Sequence, residues 1–167
     1  MDVHQFEVIH PKCVGLDVHK KSVVAAVCIS DPVTLTASYK TKVFKTTNSD
    51  IASLRDWLLA QDWRDVCMES TGKYWIPVFN ILETHMHAVL THPKYVKAIK
   101  GKKTDKRDAK WIAILFRFDI VKASFIPPPD IRALRELSRY RFKLSYMRTA
   151  EKNRYQNSMT ISRIRID

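Results

Sequence analysis

Apolar positions along this chain follow first a period of two and then a period near four. Cys13 to Asp17 and Ser22 to Ser30 are apolar, β-branched runs separated by the polar His19-Lys20-Lys21, which predicts a hairpin. Ala37 to Thr46 sets Tyr39, Thr41, Val43 and Lys45 against Lys40, Lys42 and Phe44, the alternation of a third strand. Helical spacing then takes over. Ile51, Leu54, Trp57, Leu58 and Gln61 recur behind Asn48 or Ser49 as the expected cap. Asp65 to Glu69 reads as a short strand, and Tyr74 to Thr84 as a helix with Trp75, Val78, Phe79 and Leu82 inward. A fifth strand follows at Met86 to Thr91, and Pro93 starts a short helix running to about Lys100. Gly101 breaks it, and Thr104 or Asp105 opens another helix whose apolar positions are Ala109, Ile112, Ala113, Leu115 and Phe116. A meander followed by strand and helix alternation predicts an α/β fold whose sheet is mixed in direction and flanked by helices.

Phe125-Ile126-Pro127-Pro128-Pro129 is the clearest boundary, because consecutive prolines cannot continue a helix. It divides the chain into 1–126 and 127–167. Beyond it Asp130 is the expected cap of a long helix with Leu134, Leu137, Tyr140, Leu144 and Met147 on one stripe. That stripe is too apolar for an isolated helix and predicts burial against a partner chain, by self-association, or against its own domain. Its apolar character then fades, and the sequence reads as ending without a closing turn.

Charge changes the picture. The 167 residues hold Lys+Arg 29 against Asp+Glu 17, a formal net charge of +12, which favours a polyanionic partner. Cys13, Cys28 and Cys67 are odd in number and lack CxxC spacing, so they read as buried reduced thiols rather than as disulfides or a zinc knuckle. No run reaches the ~18 apolar residues of a membrane span, and the N-terminus lacks a basic leader. A cytoplasmic protein is expected.

Against this basic background four acids stand out: Asp17 and Glu69 at strand ends, and Asp105 with Asp108 at a helix start. In an open α/β sheet, ligands gather at the carboxyl ends of the strands. If the first and fourth strands are neighbours, Asp17 and Glu69 converge, and Asp105 and Asp108 share one helix face toward them. Carboxylates packed this closely repel unless a cation holds them, and oxygen ligands select Mg²⁺ or Mn²⁺. Each acid also has a purely structural explanation, as a strand end, a surface charge or a residue favoured by the helix dipole.

The phrases Gly15-Leu16-Asp17-Val18-His19-Lys20, Met68-Glu69-Ser70-Thr71-Gly72-Lys73-Tyr74-Trp75, Lys103-Thr104-Asp105-Lys106-Arg107-Asp108-Ala109 and Ala123-Ser124-Phe125-Ile126-Pro127-Pro128 occur in this order. Together they closely resemble the Piv-type DEDD transposases, the insertion-sequence one-ten group, from about Cys13 to the last residues. The resemblance implies a RuvC-like domain of the RNase H-like fold over 1–126. Its catalytic and metal-binding acids would be Asp17, Glu69, Asp105 and Asp108, with Mg²⁺ or Mn²⁺ as cofactor. It also implies a coiled coil from 127, leading to a C-terminal serine domain that the sequence lacks. DNA, a structured bridge RNA that guides cutting and rejoining, and a dimer or tetramer of the chain are the implied partners.

Lys97, Lys100, Lys102, Lys103, Lys106, Arg107 and Lys110 surround Asp105 and Asp108, and the expectation is a phosphate clamp beside the metal. Arg135, Arg139 and Arg141 make the last helix basic and suited to tracking RNA. His19 is expected to be a surface turn residue, with orientation of a phosphate or water as its lesser reading. Two other functions stay open: a RuvC-like junction-resolving nuclease, and a non-catalytic RNA-binding and oligomerisation module.

Overall fold

The computed structural model describes residues 7–70, 72–96 and 104–164. Its backbone forms two compact units, Met1–Phe125 and Ile126–Asp167. In the first, β1 (Lys12–Val18), β2 (Ser22–Ser30) and β3 (Ala37–Lys45) form the meander; α1 (Asn48–Ala60), β4 (Asp65–Glu69), α2 (Trp75–Leu82), β5 (His87–Thr91), α3 (Pro93–Val96) and α4 (Asp105–Arg117) follow. The sheet order is β3-β2-β1-β4-β5. The β1, β2 and β3 pairings are antiparallel, while β4 runs parallel to both β1 and β5. The sheet is therefore mixed, and the first and fourth strands are neighbours.

Side-chain parity sorts the helices onto two faces. Phe44 of β3 meets Trp57 of α1 with ring centroids 5.6 Å apart. Tyr39, of opposite parity on the same strand, lies under the ammonium of Lys110 from α4. On the α4 face, Cys13, Cys28 and Cys67 are buried with Ile112, Ala113 and Phe116. Burial of side chains the size of Ile112 or Phe116 contributes about 1.5–3 kcal/mol each. The three cysteines are free, as their spacing predicts, and burial pushes the Cys67 thiol up to about 12.

Helix α4 sits unusually close to the sheet. A Cβ on Gly15 would lie 2.2 Å from the Ala109 carbonyl oxygen and 2.5 Å from the Ala113 backbone nitrogen, so only glycine admits the helix here. The Cys13 thiol donates to the Ala113 carbonyl at 3.6 Å, a second tie between β1 and α4.

Local chemistry sets where the helices begin and end. Thr47, rather than Asn48 or Ser49, caps α1, its hydroxyl accepting from the Asp50 backbone. Helix α1 closes with Asp62 left-handed (φ 55) and the Trp63 N–H donating to the Leu58 carbonyl; Asp119 (φ 52) and Ile120 close α4 the same way. The expected helix from Pro93 to Lys100 is described only over Pro93–Val96, and its remaining positions lie outside the described residues.

The second unit is α5 (Pro129–Ile161), 33 residues with none buried. Asp130 is not its cap. The helix starts from Pro128 with Pro129 in the first turn, where a missing N–H costs nothing, and Asp130 acts through the dipole. Leu134, Leu137, Tyr140, Leu144 and Met147 are exposed. The expected absence of a closing turn is also corrected: Arg163 is left-handed (φ 57) and the Ile164 N–H donates to the Met159 carbonyl.

Candidate metal centre

The site is built where β1 ends under the start of α4. Asp17 occupies the sheet face that Gly15 keeps clear for the helix, and it is itself buried at 8% exposure. Two residues on, His19 lies on the same side of the extended chain. Its N–H donates to the Ser22 carbonyl at 2.8 Å, closing the β1–β2 turn, and the Thr46 hydroxyl pins that turn through the Lys20 carbonyl at 2.7 Å.

From above, Thr104 caps α4 by accepting from the Arg107 backbone, which sets Asp105 and Asp108 in the first helical turn. The His19 Nε2 stands 3.0 Å from Asp17 Oδ2 and 3.5 Å from Asp105 Oδ1. One donor atom from each of Asp17, His19 and Asp105 lies within 4.8 Å of the other two.

Burial pushes the Asp17 carboxyl above its usual range; the His19 charge and hydrogen bond oppose this, and the Asp108 and Asp105 charges add to it. Asp17 therefore sits in a partly dry place, where burial weighs most on its carboxyl and the charges of His19, Asp108 and Asp105 all act on it. A cation is the natural complement of that arrangement. His19 and Asp105, with side chains 47% and 58% exposed, leave the outer side of the group open.

Of the four acids singled out by sequence, Asp17 and Asp105 are brought together, and Asp108 is near enough for its charge to act on Asp17. Glu69 ends β4, whose pairing of Leu16 with Met68 carries it alongside Asp17 on the same face. It is half-buried, and it does not join the three-residue group among the described residues. Sequence reading placed His19 on a surface turn; it is on that turn, and it also joins the acids. The signal for this was the two-residue spacing from Asp17 alone.

Lys106 and Arg107 are exposed in the same turn of α4 as the acids. The Lys110 ammonium lies 4.3 Å from the Tyr39 ring centroid, over the sheet edge. Lys97, Lys100, Lys102 and Lys103 fall outside the described residues. Arg135, Arg139 and Arg141 are exposed on α5, with Arg139 donating to Glu136 at 3.2 Å.

The family whose model matches the chain is described as a transposase, the DEDD type of the IS110 group, and the match spans residues 14–163. No curated protein matches. Among solved structures, RuvC of Thermus thermophilus is similar at a TM-score of 0.51 and 13% identity, over 68% of this chain and 99% of that one. T. thermophilus RuvC in complex with a Holliday junction substrate gives 0.48 and 14%, over 68% and 99%. A Fowlpox virus resolvase with Holliday junction DNA gives 0.41 and 15%, over 63% and 72%. The first likeness shows the fold of the first unit, a RuvC-like, RNase H-like mixed sheet flanked by helices.

Proposed function

The chain belongs to the IS110-type DEDD transposase family, and from that premise we propose that its α/β unit, residues 1–126, is a metal-dependent catalytic domain for cutting and rejoining DNA. The observation that carries this reading is the convergence of Asp17, from the end of β1, with Asp105, from the start of α4, around a buried carboxylate. Asp17, Asp105, Asp108 and Glu69 are the acids proposed to hold the ion. Their hard oxygen donors fit Mg²⁺ or Mn²⁺, and burial, which raises the Asp17 carboxyl, is an environment in which a bound cation would favour its ionised form. When bound, such an ion polarises a phosphodiester and offsets the charge that develops at its oxygens.

The chain's own residues do the placing. Asp17 is fixed by burial and by the turn beneath it, so its carboxylate is a rigid anchor. Asp105 and Asp108 arrive on α4 and depend on the Gly15 contact for their height above the sheet. Lys106 and Arg107 flank them, and with Lys97, Lys100, Lys102, Lys103 and Lys110 they are proposed to neutralise phosphates of the incoming DNA. The serine nucleophile implied by the resemblance belongs to a separate C-terminal domain, and no serine of the α/β unit is given that part.

Residues 127–167 are proposed to begin a coiled coil that joins copies of the chain into a dimer or tetramer. Arg135, Arg139 and Arg141 would follow a structured guide RNA. No helix among the described residues is long and apolar enough to cross a membrane, and action in the cytoplasm is part of the same proposal. The test is a transposition assay with Mg²⁺ supplied and withheld, on the full-length protein that carries the serine domain, with its natural sequence and with Asp17→Asn. Strand exchange lost in both the metal-free reaction and the variant is expected; exchange that survives either overturns the metal-dependent reading.

A further inference from the structure

We propose that His19 is a direct metal ligand in this centre, so that the site is a mixed nitrogen and oxygen site and not one of carboxylates alone. The inference rests on the proposed function and deepens it. Its ground is geometry: Nε2 of His19 is 3.0 Å from Asp17 Oδ2 and 3.5 Å from Asp105 Oδ1. Two ligands at neighbouring corners of an octahedral ion with bonds of about 2.1 Å stand about 3.0 Å apart. The His19–Asp17 distance matches that spacing, the His19–Asp105 distance is somewhat wider, and all three donor atoms lie within 4.8 Å of one another.

The chain holds the His19 backbone in place independently of the acids. Its backbone N–H closes the β1–β2 turn on Ser22, and the turn is pinned by Thr46, just after β3. Asp17 and His19 are then two residues apart on one extended strand end, a short chelate whose two donors already face the same way. Asp105 completes the three from a different element. With its proton on Nδ1, the imidazole offers a lone pair at Nε2.

An imidazole ligand carries a consequence for the choice of ion. Nitrogen donors favour first-row transition ions relative to Mg²⁺, which prefers oxygen. His19 should therefore raise the affinity for Mn²⁺ more than that for Mg²⁺. Removing it should lower Mn²⁺ affinity about tenfold, near the lower end of what lost support costs a metal site, and lower Mg²⁺ affinity by less.

The experiment is pulsed electron paramagnetic resonance on Mn²⁺ bound to the chain, reading the nitrogen modulation that a directly bonded imidazole imposes on the electron spin echo. Wild-type protein should show that modulation, and His19→Ala and His19→Gln should bind Mn²⁺ more weakly without it. Mn²⁺ bound with no nitrogen modulation overturns the role of His19 and leaves the acid site standing, as does modulation that persists in His19→Ala. Failure to bind Mn²⁺ at all overturns the acid site as well. Absence of modulation in the wild-type spectrum overturns the proposal without any variant, and the conservative His19→Gln checks the assignment where His19→Ala folds poorly.

Discussion

The central sheet carries an aspartate beside histidine at both of its ends, and the two ends differ in what else is present. At the carboxyl end of β1, Asp17 meets His19 and lies under Asp105 and Asp108. At the opposite end, Asp65 of β4 bonds the His87 ring at 2.9 Å and stands 3.6 Å from His10, whose ring stacks on Phe116. One end gathers three acids around one base. The other sets one acid between two bases. At the first end further carboxylates act on the aspartate, whereas at the second the aspartate is shared between two rings. An aspartate and histidine in contact are therefore weak evidence for a metal site by themselves; additional carboxylates converging on them are what point to a cation.

The contrast is sharpest in activity. Asp17→Asn should lower strand exchange by at least ~10³-fold, about 4 kcal/mol of transition-state stabilisation, while Asp65→Asn should leave it within about threefold. Equal losses from both variants in a transposition assay would show that the two ends are not distinguished by chemistry.

A second contrast concerns how the acid-rich end is assembled. Gly15→Ala drives a methyl group into the backbone of α4 at Ala109 and Ala113. Overpacking of this kind costs about 1–3 kcal/mol, a fall of roughly 3–10 °C in melting temperature for a chain of this size. Metal affinity measured by calorimetry should fall with it, because Asp105 and Asp108 ride on the displaced helix. Unchanged affinity and stability would mean that α4 can shift without disturbing the site.

The smallest effect has a sign that separates function from stability. The folded-state carboxyl of Asp17 titrates above its ordinary value of 3.8, so its ionised form is disfavoured in the native protein. The stability linked to this group is fully present below about pH 3.8 and is lost as pH rises through the folded value. In metal-free protein at neutral pH, Asp17→Asn should therefore raise the melting temperature by ~1–4 °C, with no gain at pH 3. Asp65→Asn should not stabilise at either pH, because it weakens bonds to His10 and His87. A melting curve of Asp17→Asn that falls below wild type at neutral pH would contradict the crowding of charge at this site.

Local pattern made the architecture legible. Two apolar, β-branched runs and the alternation of Ala37 to Thr46 marked the meander, and the residues singled out in α1, α2 and α4 include those that are buried. Of the acids, the convergence of Asp17 and Asp105 was legible from a strand end and a helix start, whereas Glu69 was named with them and does not join their group among the described residues. Gly15 gave no local sign of its importance, since the helix it admits comes from some ninety residues later in the sequence. Thr47, Asn48 and Ser49 are all good caps, and propensity could not choose among them; the apolar residues that face the sheet did. His19 was set on a turn correctly, but its bond to Asp105 is tertiary and no spacing rule reaches that far. The closing turn after α5 was missed because Arg163 is an uncommon residue for a left-handed position.

The central claim is that one end of this sheet binds a divalent ion and the other does not. A crystal soaked in Mn²⁺ and measured for anomalous scattering tests it in one step. We expect a strong peak among Asp17, His19 and Asp105, and none at Asp65. A peak at Asp65, or no peak beside Asp17 at Mn²⁺ concentrations that support transposition, would contradict the claim.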